Sequence, residues 1–94
     1  MEETKRALNH FERITFDRVQ EMVHDAGRRF GKSWRLEYNR TGVENCMELS
    51  TVFIYEGEKE VFRSFFGDNV AEACMYVVSF LNGINTMLEL SASH

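Results

Sequence analysis

The 94-residue chain contains no proline and only two cysteines, and none of its apolar runs approaches the roughly 18 residues that a membrane span requires. With no proline and no low-complexity tract, nothing marks a linker, and residues 1–94 read as one domain. The opening MEETKRALNH is charged and lacks the apolar core of a signal peptide, so a cytoplasmic location is expected and no membrane partner. Cys46 and Cys74 sit in apolar-patterned segments and read as two buried thiols rather than a disulfide. His10, His24 and His94 are scattered, none with a cysteine or second histidine at ligand spacing, so neither a metal nor a cofactor is expected.

What is present is a globular composition, 44% apolar with eight phenylalanines. The formal charge of −4 is unevenly spread. Residues 1–42 hold nine Lys/Arg against seven Asp/Glu, and residues 43–94 hold two against eight. This polarity along the chain is the main sequence clue to a partner.

The N-terminal third has a helical period, with Phe16, Val19, Met22, Val23, Ala26 and Phe30 on one stripe that Ala7, Leu8 and Phe11 extend upstream. Asn9 and Glu12 have capping-box spacing, which starts the helix near residue 9; a start near Glu2 with a bend around Thr15 is the alternative. Gly31, after Arg28 and Arg29, supplies the stop. The period then becomes two: Trp34, Leu36 and Tyr38 form one strand, and Met47, Leu49, Thr51, Phe53 and Tyr55 one side of a second. Glu56-Gly57-Glu58-Lys59 reads as a hairpin turn, and Glu60 to Phe66 as a third strand. After Gly67-Asp68-Asn69 a wide stripe of Val70, Ala73, Cys74, Val77, Phe80, Leu81, Ile84 and Leu88 predicts a last helix. The fold class is therefore α+β in the order α-β-β-β-α, an antiparallel three-stranded meander packed by N- and C-terminal helices.

The sheet face turned to the helices is expected to carry Trp34, Leu36, Tyr38, Leu49, Phe53 and Tyr55. That leaves Val52 and Ile54 on the other face as an apolar patch for binding. Gly83 within the last helix, unfavourable by about 1 kcal/mol relative to Ala, suggests close approach by another element.

Gly27-Arg28-Arg29-Phe30-Gly31-Lys32-Ser33 resembles a phosphate-binding loop but fails as one. Three residues, not four, precede the Gly-Lys-Ser, and the order is helix into strand, which turns helix carbonyls toward an anion. No nucleophile elbow surrounds any serine, and Cys74 falls on a buried stripe. No catalytic residue is assigned, and a non-enzymatic protein is expected.

Two surfaces remain. Glu44, Glu48, Glu56, Glu58, Glu60, Asp68 and Glu72 form a carboxylate set suited to a basic groove on a larger protein. The last helix has no charge between Glu72 and Glu89, so Met75, Ser79 and Asn82, with Phe62 and Phe66 from the sheet, make a possible interface, including one for a homodimer.

The element order resembles the double-stranded-RNA-binding domain, with Ala71, Ala73, Val77 and Leu81 matching its last helix. The lysine-rich helix start of that family is replaced here by Gly67-Asp68-Asn69-Val70-Ala71-Glu72. Nucleic acid is thus the lesser alternative, with Arg28, Arg29, Lys32 and Arg35 as its contacts. In size, topology and acidic surface, with Glu44, Glu48, Glu56, Glu58 and Glu60 as the matching positions, the chain resembles phage-encoded anti-CRISPR proteins. That resemblance implies a non-enzymatic inhibitor, acting in the host cytoplasm, that blocks a nucleic-acid-binding effector through an acidic and aromatic surface.

Overall fold

The computed structural model describes residues 8–41 and 49–92. Helix α1 (His10–Arg29) starts where the cap predicts. The Asn9 side chain accepts the Glu12 amide at 2.8 Å, and the Glu12 carboxylate accepts the Asn9 amide at 3.1 Å. The helix runs unbroken through Thr15. Beyond it, Gly31 takes φ 67°, a conformation that favours glycine, and the Lys32 and Gly31 amides close onto the carbonyls of Gly27 and Arg28.

Strands β1 (Trp34–Thr41), β2 (Leu49–Glu56) and β3 (Lys59–Arg63) form an antiparallel sheet in the order β1-β2-β3, and helix α2 (Val70–Ala92) completes the α-β-β-β-α, α+β fold. The third strand ends at Arg63, three residues short of the sequence expectation.

The face assignment of β2 is reversed. Trp34, Leu36 and Tyr38 lie opposite Glu56, Ile54 and Val52, so the β-branched pair Val52 and Ile54 joins them under the helices, fully buried. The core comprises Phe16, Val19, Val23 and Ala26 of α1, Trp34 and Leu36 of β1, this pair, and the α2 stripe from Val70 to Leu81. Burying each of Val52 and Ile54 stabilises the fold by roughly 1.5–3 kcal/mol. Phe53 and Tyr55 turn to the outer face instead, where arginines cover their rings. The Arg35 guanidinium lies 5.1 Å from the Tyr55 ring centre, and that of Arg63 lies 5.3 Å from Phe53. Arg35 pairs in turn with Glu37, and Arg63 with Glu60. The outer face is thus a cross-strand ladder of charges and rings rather than an apolar patch.

A bulge between Ile54 and Tyr55 shifts the β2–β3 register, placing Phe62 opposite Ile54. Val61 and Phe62 consequently both pack against the core, and Phe62 stacks on Phe80 of α2 at 4.4 Å between ring centres. Phe62 is therefore a packing residue and leaves the expected interface.

Candidate functional site

Glu12 organises one end of the molecule. It falls four residues before Phe16, on the α1 stripe where the sequence reading placed Phe11. It is buried there while Phe11 is 68% exposed. Its Oε1 receives the Asn9 amide and the Arg40 guanidinium of β1, and its Oε2 receives the Val70 amide at 2.9 Å, the first residue of α2. One carboxylate thus caps both helices and clamps the end of β1. Burial pushes the Glu12 carboxyl up, but the Val70 and Asn9 amides and the Arg40 guanidinium outweigh that and hold it below its ordinary 4.5. The sequence signal for this role is an acid at a core position of the helical period.

Around this anchor the start of α2 is fixed. The Asn69 side chain accepts the Glu72 amide at 2.8 Å. The preceding segment is pinned to β2: Ser64 exchanges hydrogen bonds with the Val52 backbone, each 3.0 Å long, and Gly67 and Ser50 exchange two of 2.8 Å. A side chain at Gly67 would sit 2.9 Å from the Ala73 amide nitrogen, so only glycine lets this segment lie against α2.

From that held backbone Phe65 and Phe66 project, 75% and 63% exposed. Phe65 meets Tyr76 edge to face at 5.4 Å. One helical turn places Met75 and Tyr76 next to Glu72. On the Met75 side a shallow groove of about 250 Å3 is lined by Phe11, Thr15, Asn69, Ala71, Glu72 and Met75. The result is an apolar and aromatic surface around Glu72, with exposed Asp68 at its edge.

Of the acidic set, Asp68 and Glu72 belong to this surface, whereas Glu44 and Glu48 lie outside the described residues, as does Cys46. Glu56, Glu58 and Glu60 are at the opposite end of the sheet, about 20 Å away over the six residues of β2 from Ser50. They are interleaved with cations there. Glu56 accepts the Trp34 indole N–H at 3.1 Å and stands 3.9 Å from Lys32, and Glu60 pairs with Arg63. The fold therefore divides the carboxylates between two ends.

Two of the basic residues reach the hairpin end, Lys32 beside Glu56 and Arg35 at the Gly57 carbonyl, while the others are held elsewhere. Arg28 pairs with Asp25, Arg35 pairs with Glu37 and donates to the Gly57 carbonyl, and Arg29 donates to Asn85 at 2.7 Å. Because Trp34 lies opposite Glu56, the turn carrying Lys32 is folded against the hairpin. The charge asymmetry along the chain does not become two separate poles in space.

Met75, Ser79 and Asn82 are exposed on α2. Gly83 is open: among the described residues, none from another element lies within 4 Å of a side chain built there, so the expected close approach is not made by them. Cys74 is buried, and burial, with a smaller effect of the Glu12 charge, raises its thiol to about 12, which suits packing and not nucleophilic chemistry. Among the described residues no group of three or more His, Cys, Asp or Glu has metal-site geometry, and no helix is long and apolar enough to cross a membrane. No protein-family model, curated protein or solved structure matches the chain.

Proposed function

We propose that the protein is a non-enzymatic protein-binding module that docks a larger partner through the surface around Glu72, with Phe65, Phe66, Phe11 and Met75 as apolar anchors and Asp68 and Glu72 as an acidic rim. The observation that carries this reading is the pair of exposed phenylalanines on a backbone pinned by hydrogen bonds at both ends. Rigid aromatic side chains lose little conformational freedom on binding and are frequent interface hot spots. The rim carboxylates suit a partner whose apolar pocket is bordered by Lys or Arg, and they steer its approach.

An inhibitor of the anti-CRISPR type, occupying the basic groove of a nucleic-acid-binding effector, is the specific form of this reading. Its contact residues are then Asp68 and Glu72 with the aromatics, rather than the hairpin acids. The nucleic-acid alternative is disfavoured, because three of its four cations already have carboxylate partners. Self-association through α2 is compatible with either form.

Site-specific photocrosslinking tests the proposal. A photoreactive phenylalanine analogue at position 66 is expected to capture one discrete protein from a lysate of the source organism. The adduct should disappear on adding Glu72→Lys and should not form with the analogue at Glu37 on the outer sheet face. Equal capture from both positions, or none from position 66, refutes the docking surface. If the captured protein binds nucleic acid, loss of that binding on titration with this chain separates an inhibitor from an adaptor.

A further inference from the structure

Strand β3 pairs with β2 on one side and is the edge of the sheet on the other. Val52 and Ser50 direct their backbone groups toward the segment 64–67: the Ser64 amide donates to the Val52 carbonyl, and Ser50 exchanges two bonds with Gly67. Such groups alternate along an antiparallel strand, so Phe53 turns its own toward β1. Arg63, which lies opposite Phe53, therefore points its N–H and C=O away from the sheet. Val61 is the extra residue of the bulge, since Ile54 pairs with Phe62 and Tyr55 with Glu60. Val61, Arg63 and Phe65 thus mark an edge about 13 Å long. Among the described residues, no backbone hydrogen bond from outside the sheet reaches Arg63. Its side chain does not shield the edge either, because the guanidinium lies back over the Phe53 ring and pairs with Glu60.

One flank of α2 overlies this edge. Tyr76, Phe80 and Gly83 follow at spacings of four and three, which places them on one side of a helix. Tyr76 meets Phe65 and Phe80 stacks on Phe62, so the flank is fixed on the β3 side. Helix α1 packs on β1 and α2 on β2, which leaves β3 at the margin of the helical layer. Tyr76 and Phe80 are half-buried and Gly83 is exposed.

We propose that an extended segment of the docked partner adds to β3 as a fourth strand, running from the Phe65–Phe66 surface along Arg63 to Val61. This rests on the docking reading above and specifies the conformation of what docks. Outward amides and carbonyls on an extended edge are matched by another extended backbone and not by a helix, whose own groups are bonded internally. The side chains of the added segment alternate. Those turned inward lie beneath Tyr76, Phe80 and Gly83 and are apolar, and those turned outward stand beside Arg63 and Glu60 and are polar. A Lys or Arg at the end next to Phe65 faces Asp68 and Glu72. The edge and the exposed phenylalanines are then one continuous interface, in which backbone bonds add affinity and the aromatics fix the register.

Amide hydrogen exchange of the full chain, read by NMR, tests the inference together with two variants. In the free chain the Arg63 amide should exchange about tenfold or more faster than the Ser64 amide, which is bonded to Val52. In complex with the protein captured from position 66, the Arg63 amide should slow by about tenfold or more. Proline is tolerated at an edge position whose N–H points outward, so Arg63→Pro should fold, as circular dichroism and the Ser64 amide will verify. It should bind the captured protein about tenfold or more weakly than Arg63→Ala, which also lacks the guanidinium but keeps the amide. If Arg63→Pro does not fold, the exchange rates of the wild type decide alone. An Arg63 amide already protected in the free chain, one that exchanges equally fast in the complex, or equal binding by the two folded variants overturns the added strand. Capture at position 66 would stand in each of those cases, whereas its absence refutes the docking surface and this inference with it. Protection of Arg63 that grows with the concentration of the chain alone would give the edge to a second copy and also overturns the proposal.

Discussion

Removing the Glu12 carboxylate is expected to be among the most damaging single polar substitutions in the molecule. Its two oxygens satisfy the Asn9 and Val70 amides and the Arg40 guanidinium, and the carboxylate is almost inaccessible to water. Glu12→Ala deletes the acceptor for two helix-start amides and withdraws this carboxylate from a guanidinium that is itself largely buried. Breaking a buried ion pair from one side costs about 3–5 kcal/mol, a large fraction of the 5–15 kcal/mol typical of a domain. Glu12→Gln keeps the shape and one acceptor oxygen but loses the charge, and a hydrogen bond to a charged group is worth about 1.5–3 kcal/mol, so about 2 kcal/mol is expected. Urea denaturation followed by circular dichroism measures both.

The pH dependence is an independent signature. The folded Glu12 carboxyl titrates below its unfolded value, so its contribution is fully present above about pH 4.5 and is lost as pH falls through the folded value. Glu12→Gln should remove that part of the acid limb while leaving the profile near neutrality parallel to the wild type. Combining it with Arg40→Met should recover stability relative to the sum of the single changes, because an apolar replacement of a whole buried pair is often neutral. A Glu12→Ala protein within 1 kcal/mol of the wild type, with the acid limb unchanged in Glu12→Gln, would refute this account of the anchor.

Three other outcomes follow from the geometry. Ile54→Ala should cost about 2–5 kcal/mol and Phe53→Ala clearly less, since the first opens a core cavity and the second uncovers an arginine stem on the outer face; equal losses in thermal unfolding would contradict the face assignment. Gly67→Ala should destabilise by about 1–3 kcal/mol because the new methyl meets the Ala73 amide, and a neutral result in the same assay would show that the segment shifts at little cost. Native Cys74 should resist a thiol reagent at mildly alkaline pH and react once the chain is unfolded in denaturant; rapid native reaction would contradict its burial and raised pKa.

Local physics made the element order readable without coordinates. The Asn9–Glu12 cap, the Gly31 stop, the change of period at Trp34 and the two-residue hairpin at Gly57-Glu58 depend on neighbours within four residues, and each element forms where those signals fall. Which face of β2 turns inward is a different kind of question. Its alternation fits either face, because Phe53 and Tyr55 are as apolar as Val52 and Ile54. The register with β1 decides, together with arginines from neighbouring strands that cover the rings on the outer side. The same holds for the third strand, where one bulge moves Phe62 into the core and the pinned segment after Ser64 leaves Phe65 and Phe66 in water.

Charge separates the two levels most clearly. The sequence determined how many acids and bases there are and that they are unevenly distributed along the chain. Tertiary structure alone decided that the basic turn folds against the acidic hairpin, that Asp68 and Glu72 stand apart beside exposed aromatics, and that Glu12 joins both helices to β1. The physical reason is range: caps, turns and hydrophobic period are set within a few residues, whereas the partners of a charge are chosen by strand register and helix packing across most of the chain.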